Sequence, residues 1–160
     1  MYKLLLLPLL MAVLMLLQAL QLDQEMAVRI LYVGKHAINR AAHAAAQQLD
    51  QERLANGELR IDREAAAAAA ARYLQFNMNL DAHGEPLAGS PFQGEVEVLR
   101  LEVVDGNRPY PVRYRLPEYD YEVMLYGPSV VLVVQIDYPR AFSVLDPITW
   151  QVKGAAELVR

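Results

Sequence analysis

The apolar beginning of this chain constrains its fold more than any other feature. Leu4 to Leu22 is a run of roughly 19 residues without a charged side chain, long enough to cross the ~30 Å hydrocarbon core of a bilayer as a helix. A cleaved signal peptide is the alternative, since Lys3 supplies a basic start. The run is long for a signal peptide, however, and its last five residues contain no Ala-x-Ala cleavage site. We therefore expect residues 1–22 to be a retained transmembrane anchor.

No turn signal interrupts the chain after the anchor until Asn56-Gly57. The sequence therefore predicts one continuous helix from Leu4 to about Asp50, half in lipid and half in water, which Asn56-Gly57 closes because both residues tolerate a positive φ. A lone Gly34 costs such a helix only about 1 kcal/mol. The alanine-rich run 41–46 favours it.

Apolar side chains beyond the anchor recur at steps of three and four residues, which places them on one stripe of the helix. The stripe consists of Met26, Ile30, Val33, Ala37, Ala41 and Ala45. Its side chains become smaller toward Ala45, and small side chains allow a neighbouring backbone to approach closely. We expect the stripe to pack against a sheet or a second helix. The alternative is that it serves as an assembly surface for another chain.

A second helix is predicted from Arg63 to about Leu80. Asp62 precedes it as an N-cap whose carboxylate accepts hydrogen bonds from the free N–H groups of the first turn. Residues 65–71 are all alanine, so this helix can also pack closely. Residues 81–93 are rich in glycine and proline and form a loop that leads into the sheet.

The sheet is expected over residues 94–160, where the apolar pattern changes to a period of two. A phase slip at Val98-Leu99 indicates a bulge or a strand buried on both faces. Asp105-Gly106-Asn107 predicts a hairpin with the following strand. Ser129–Tyr138 is almost continuously apolar and is typical of a central strand. Further strands are expected at 110–116, at 121–126 and from 148 onward.

The predicted fold is therefore α+β. It has one long N-terminal helix whose first half spans the membrane, a second helix, and an antiparallel sheet of four or five strands. Residues 23–160 form the domain attached to the anchor.

Composition excludes several classes of function. The formal net charge of -4 and the pI near 5.4 provide no basic surface for nucleic acid. The absence of cysteine excludes disulfides and thiolate metal sites. His36 and His43 are seven residues apart, whereas a helical metal pair needs a spacing of about three or four. Helix capping accounts for Asp62 and Glu64. We expect no enzyme, no metal and no cofactor.

Tyrosines cluster in the sheet region, and two interpretations remain open for them. Half-buried strands favour tyrosine for packing. A tyrosine-rich surface can also bind a partner, because tyrosine offers a large contact area at low entropic cost. The candidate contact face consists of Tyr110, Tyr114, Tyr121 and Tyr126.

Two arguments about membrane orientation disagree. Lys3 precedes the anchor, whereas Arg29, Lys35 and Arg40 follow it. Taken literally, the positive-inside rule places the domain in the cytoplasm. A signal-anchor with a short basic start usually exports the chain that follows it, which places the domain outside.

A resemblance to a known family supports the outward orientation. After the apolar helix come Lys35-His36-Ala37-Ile38-Asn39-Arg40-Ala41-Ala42-His43-Ala44-Ala45-Ala46, the strand Val131-Leu132-Val133-Val134-Gln135-Ile136-Asp137-Tyr138 and the ending Ala155-Ala156-Glu157-Leu158-Val159-Arg160. This arrangement resembles the TadE-like family, minor pilins or pseudopilins of tight-adherence type IV pilus systems. The resemblance implies a membrane-embedded helix and a small exported domain that joins or primes a pilus. One departure is that Leu4–Leu22 contains neither the glycine nor the glutamate of the pilin pattern, which argues against processing by a prepilin peptidase.

Two functions are therefore expected. The first is a non-enzymatic pilus or envelope-assembly component, whose partners are the membrane, other pilus or envelope proteins, or a second copy of the chain. The second is a membrane-anchored extracytoplasmic binding or sensing module that uses the tyrosine face.

Overall fold

A computed structural model describes residues 2–105, 109–140 and 145–159, with side chains from Leu6 onward. These residues form an α+β fold, as predicted. The helices are α1 (Tyr2–Ala46), α2 (Gln51–Ala55) and α3 (Arg63–Met78). The strands are β1 (Val96–Val104), β2 (Val112–Leu116), β3 (Tyr121–Leu125), β4 (Ser129–Tyr138) and β5 (Ile148–Glu157).

The first helix is continuous from the apolar segment into the domain, but it ends earlier than expected. It stops at Ala46 instead of reaching Asp50. Asp50 starts a new helix, α2, because its side chain accepts a hydrogen bond from the backbone N–H of Arg53 at 3.0 Å. Leu49 also pairs with Ile61 in an antiparallel bridge, which requires extended backbone on both sides. Asn56 therefore caps the short α2 rather than α1.

The second long helix has the predicted cap at its start. Asp62 accepts hydrogen bonds from the N–H groups of Glu64 and Ala65, each at 3.0 Å. The helix ends at Met78, two residues before the expected Leu80, because Asn79 adopts a left-handed conformation with φ of 54°. The alanines of the run pack closely as expected, and Ala66, Ala69 and Ala70 are buried.

The strands are antiparallel but divide between two sheets. β4 lies between β1 and β5 in a three-stranded sheet, and β2 pairs with β3 in a separate hairpin. The expected hairpin between β1 and β2 is therefore wrong, although Gly106 and Asn107 of its turn lie outside the described residues. The physical reason is burial: β4 is apolar on both faces and requires a covering layer on each. The hairpin that contains β2 provides one of these layers, with the half-buried side chains of β2 facing β4. The predicted bulge is confirmed by a register shift between Val98 and Arg100.

The fold has three layers, with β4 in the middle. One face of β4 belongs to the same apolar core as α1 and α3 and includes Val130, Leu132, Val134 and Ile136. The opposite face, with Val131 and Val133, packs with residues of the β2–β3 hairpin. All six side chains have no exposed area, so the prediction of a central strand covered on both faces is confirmed.

Helix α1 and the sheet approach each other most closely at two glycines. A Cβ atom on Gly34 would lie 2.5 Å from Cδ1 of Ile136, and one on Gly154 would lie 3.1 Å from Cγ2 of Ile38. Gly154 pairs with Leu132, which precedes Ile136 on β4. β4 therefore runs antiparallel to α1, and its C-terminal end points toward the apolar segment.

Candidate functional site

The described residues contain no group of three histidine, cysteine, aspartate or glutamate side chains that could hold a metal ion. His36 and His43 are both exposed on α1. The ring of His36 makes an edge contact with that of Tyr32, with 4.8 Å between the ring centroids. The feature that distinguishes this molecule is instead the point at which α1 leaves its apolar segment and enters the domain.

The first part of α1 projects away from the domain. Its large apolar side chains between Leu6 and Leu17 are 47–69% exposed. Among the described residues, α1 is the one helix long and apolar enough to cross a membrane. These leucines are not covered by the domain, although each fully buried leucine would contribute roughly 1.5–3 kcal/mol.

Directly after this segment, Asp23 is buried at the boundary with the domain. Its side chain is 1% exposed and lies 3.4 Å from the guanidinium of Arg140. The hydroxyl of Tyr138 donates a hydrogen bond to the same carboxylate at 3.3 Å. Asp23 is 115 residues away from Tyr138 in sequence, so this cluster joins the start of the domain to the end of β4.

The environment of Tyr138 reflects this contact. Burial raises the pKa of the Tyr138 hydroxyl, and the adjacent carboxylate of Asp23 raises it further, both by its negative charge and as a hydrogen-bond acceptor. The ring of Tyr138 also lies beside that of Trp150, with 5.8 Å between the centroids. The hydroxyl therefore stays protonated and able to donate its hydrogen bond over the physiological pH range.

A second polar contact joins α1 to β5 farther from the apolar segment. The ammonium group of Lys35 donates a hydrogen bond to the backbone carbonyl of Lys153. Partial burial lowers the pKa of Lys35, and the nearby charge of Lys153 lowers it further. This contact and the Asp23 cluster hold α1 to the sheet at two levels.

Most of the predicted stripe on α1 faces the core. Ile30, Ala37, Ala41 and Ala45 are buried, with Ala41 and Ala45 fully so. Val33 is half-buried and packs against the same core. Met26, in contrast, is 48% exposed.

The buried face of α1 also includes residues that the stripe omitted. Asp23 and Ala27 are buried, and Gly34 is buried opposite Ile136. Counting backward from Ile30 in steps of three and four reaches Ala27 and then Asp23, so the period itself could have located both.

A separate, exposed face of α1 carries apolar groups just after the apolar segment. Met26, Val28 and Tyr32 are 48%, 64% and 67% exposed. Val28 and Tyr32 line a shallow hollow with the polar residues Gln21, Gln24, Glu25 and Arg29. We call Val28 and Tyr32 the exposed α1 face. Val28 and Tyr32 are four residues apart, so they are neighbours on the surface of the helix.

The structure places the four candidate tyrosines in different environments. Tyr110, Tyr114 and Tyr121 are half-buried, and Tyr126 is 69% exposed. Tyr114 and Tyr121 pack against the core between the hairpin and β4, and burial raises the pKa of Tyr121. The hydroxyl of Tyr110 donates a hydrogen bond to the carbonyl of Val104 at 3.3 Å. Three of the four tyrosines thus contribute to packing within the domain.

Comparison with known proteins finds no matching family model, no matching curated protein and no matching solved structure. The function of the chain must therefore be argued from its own geometry.

Proposed function

We propose that this chain is a non-enzymatic, single-pass membrane protein of pilin-like, TadE-like layout that acts in the assembly of a pilus or another envelope structure. In this proposal, Leu4–Leu22 is the retained anchor and the domain lies outside the cytoplasm. The partners are other envelope proteins or further copies of the chain.

The observation that carries this proposal is that α1 is exposed in its first part and buried in the domain core in its second part. Its first part exposes apolar side chains that only lipid or protein can cover. Its second part, from Ala27 to Ala46, forms the helical side of the domain core together with α3. One rigid helix therefore connects the membrane to the domain without a flexible linker, which suits a subunit that packs side by side with others.

The exposed α1 face supports the same proposal. Val28 and Tyr32 lie within about 15 Å of the end of the apolar segment, at ~1.5 Å per residue. They are therefore placed where helices of neighbouring subunits in one membrane would meet. The packing of Tyr114 and Tyr121 into the domain favours assembly over the alternative of a ligand-binding tyrosine face.

Charged substitutions on this face provide the test. In a host strain that lacks the gene, we expect the wild-type chain to restore the surface structure and Val28→Glu or Tyr32→Glu to fail. The reason is that an introduced carboxylate at a helix contact must be desolvated without a partner. Electron microscopy of the surface structures and crosslinking between copies measure the outcome.

Phe76→Glu is the matched control, because Phe76 is 85% exposed on α3. None of the three variants should change the free energy of unfolding by more than about 0.5 kcal/mol, since surface substitutions rarely do. Loss of the gene without any change in pili or other envelope structures would contradict the proposed function.

A further inference from the structure

We infer that the end of the sheet formed by the C-terminus of β4 and the start of β5 rests on the phospholipid headgroups of the bilayer that holds α1. We call this end of the domain the β4–β5 end; its residues are Tyr138, Arg140, Leu145 and Ile148. The inference rests on the proposed membrane anchor. Beyond the proposed anchor, the inference states that the domain contacts the lipid surface and is not separated from it by water.

The position of Asp23 fixes the height of the β4–β5 end above the membrane. Asp23 follows Leu22, the last residue of the apolar segment, at a rise of ~1.5 Å along the helix. The headgroup layer on each side of a bilayer is about 5–7 Å thick. Arg140 and Tyr138 contact the Asp23 carboxylate at 3.4 Å and 3.3 Å. The ends of both side chains therefore lie at the depth of the headgroups.

The direction of β4 brings further residues to the same level. β4 runs antiparallel to α1, and Tyr138 at its end pairs with Ile148 at the start of β5. Leu145 lies three residues before Ile148 in the chain, and its side chain is 37% exposed. An exposed leucine on this side of the domain meets lipid headgroups and the first acyl carbons rather than open water.

The chemistry of the β4–β5 end suits an interface between water and lipid. Tyr138 is only 3% exposed and packs beside the half-buried Trp150. The side chains of this end that can reach the headgroups are therefore those of Arg140, Leu145 and Ile148. Arginine can keep its charged end among the headgroups while its stem lies on apolar surface. The carboxylate of Asp23 is paired and buried, which leaves the exposed Asp146, next to Leu145, as the acid of this end that faces the headgroups.

Single spin labels on the full chain provide a test, because the sequence contains no cysteine. The variants Leu14→Cys, Leu145→Cys and Leu54→Cys place a label in the anchor, at the β4–β5 end and on α2 at the opposite end of the domain. All three side chains are exposed, at 52%, 37% and 38%, so labelling disturbs no packed core. Each protein is reconstituted into nanodiscs of phosphatidylcholine and phosphatidylglycerol. Oxygen, which concentrates in lipid, and a water-soluble nickel complex then serve as relaxing agents.

We expect the accessibility of the three labels to oxygen and to nickel to follow their distance from the centre of the membrane. The Leu14 label should be accessible to oxygen and protected from nickel, and the Leu54 label should show the reverse. The Leu145 label should be several-fold less accessible to nickel than the Leu54 label and accessible to oxygen at an intermediate level. A Leu145 label as accessible to nickel as that at Leu54, or one protected from both agents by protein, would overturn the inference. If the Leu14 label itself lies in water, the anchor fails, and with it the proposed function.

Discussion

Replacing Arg140 with alanine is expected to lower the free energy of unfolding by about 3 kcal/mol, because it leaves a buried carboxylate without its cationic partner. Asp23 is 2% exposed, and its charge cannot be hydrated where it lies. The expected cost falls at the low end of the range for broken buried pairs, because the Arg140 side chain is itself 22% exposed. Urea unfolding of the full chain in detergent micelles measures the change, with Trp150 as the sole tryptophan probe.

A second substitution separates the buried charge from lost packing. Asp23→Asn removes the charge and keeps an oxygen that can accept the hydrogen bond from Tyr138. The double variant Asp23→Asn with Arg140→Ala should therefore be more stable than Arg140→Ala alone. If Arg140→Ala costs less than about 0.5 kcal/mol, the level of an ordinary surface substitution, the ion pair does not hold the domain to the base of α1.

Replacing Ala41 or Ala45 with leucine is expected to cost about 1–3 kcal/mol, the usual cost of forcing extra volume into a packed core. Both side chains have no exposed area, and α1 packs there against α3 and the sheet. Because both side chains are fully enclosed, the added carbons require the helix to shift or neighbouring side chains to leave their preferred rotamers. The same urea titration measures the difference between variant and wild type.

Gln47→Leu is the matched control, because Gln47 is exposed just beyond the end of α1. It should change stability by less than about 0.5 kcal/mol. Equal and negligible effects at Ala41, Ala45 and Gln47 would remove the argument that α1 organises the domain. An alanine variant that keeps its stability but loses assembly would instead assign the stripe to contacts between molecules.

Features with a local cause could be predicted from the sequence. The cap at Asp62 depends on a side chain and the two or three residues that follow it. The bulge after Val98 follows from a shift in the period of apolar residues. The central position of β4 follows from its apolar composition on both faces. In each case, the sequence pattern that predicts the feature lies within a short segment of the chain.

Features that depend on distant residues could not be predicted in this way. The turn residues after β1 favoured a hairpin, but β1 pairs instead with β4, because burial of both faces of β4 outweighs a local turn preference. Helix propensity accounts for Gly34 only as a cost. In the structure, its lack of a side chain makes room for Ile136, whose Cδ1 atom lies 2.5 Å from where a Cβ atom on residue 34 would be. Nothing in the residues near Asp23 indicates a partner 117 positions away.

The buried face of α1 was predicted only in part, because the spacing of apolar residues is a local property of the sequence. The spacing rule located Ile30, Ala37, Ala41 and Ala45 on the buried face, because helical periodicity is a local property. It placed the start of the stripe at Met26, one residue away from the buried Ala27. The junction at Asp23 could not be located in this way, because its partners Tyr138 and Arg140 lie 115 and 117 residues away in the chain.

The most direct test of the account is whether the apolar segment remains attached and holds the chain in the membrane. Membranes from cells that express the chain should be washed with alkaline carbonate, and the retained protein analysed by intact mass. We expect the chain in the membrane pellet with Leu4–Leu22 still present, since about 19 apolar residues suffice to span the hydrocarbon core. A soluble protein that begins after Leu22 would contradict the account.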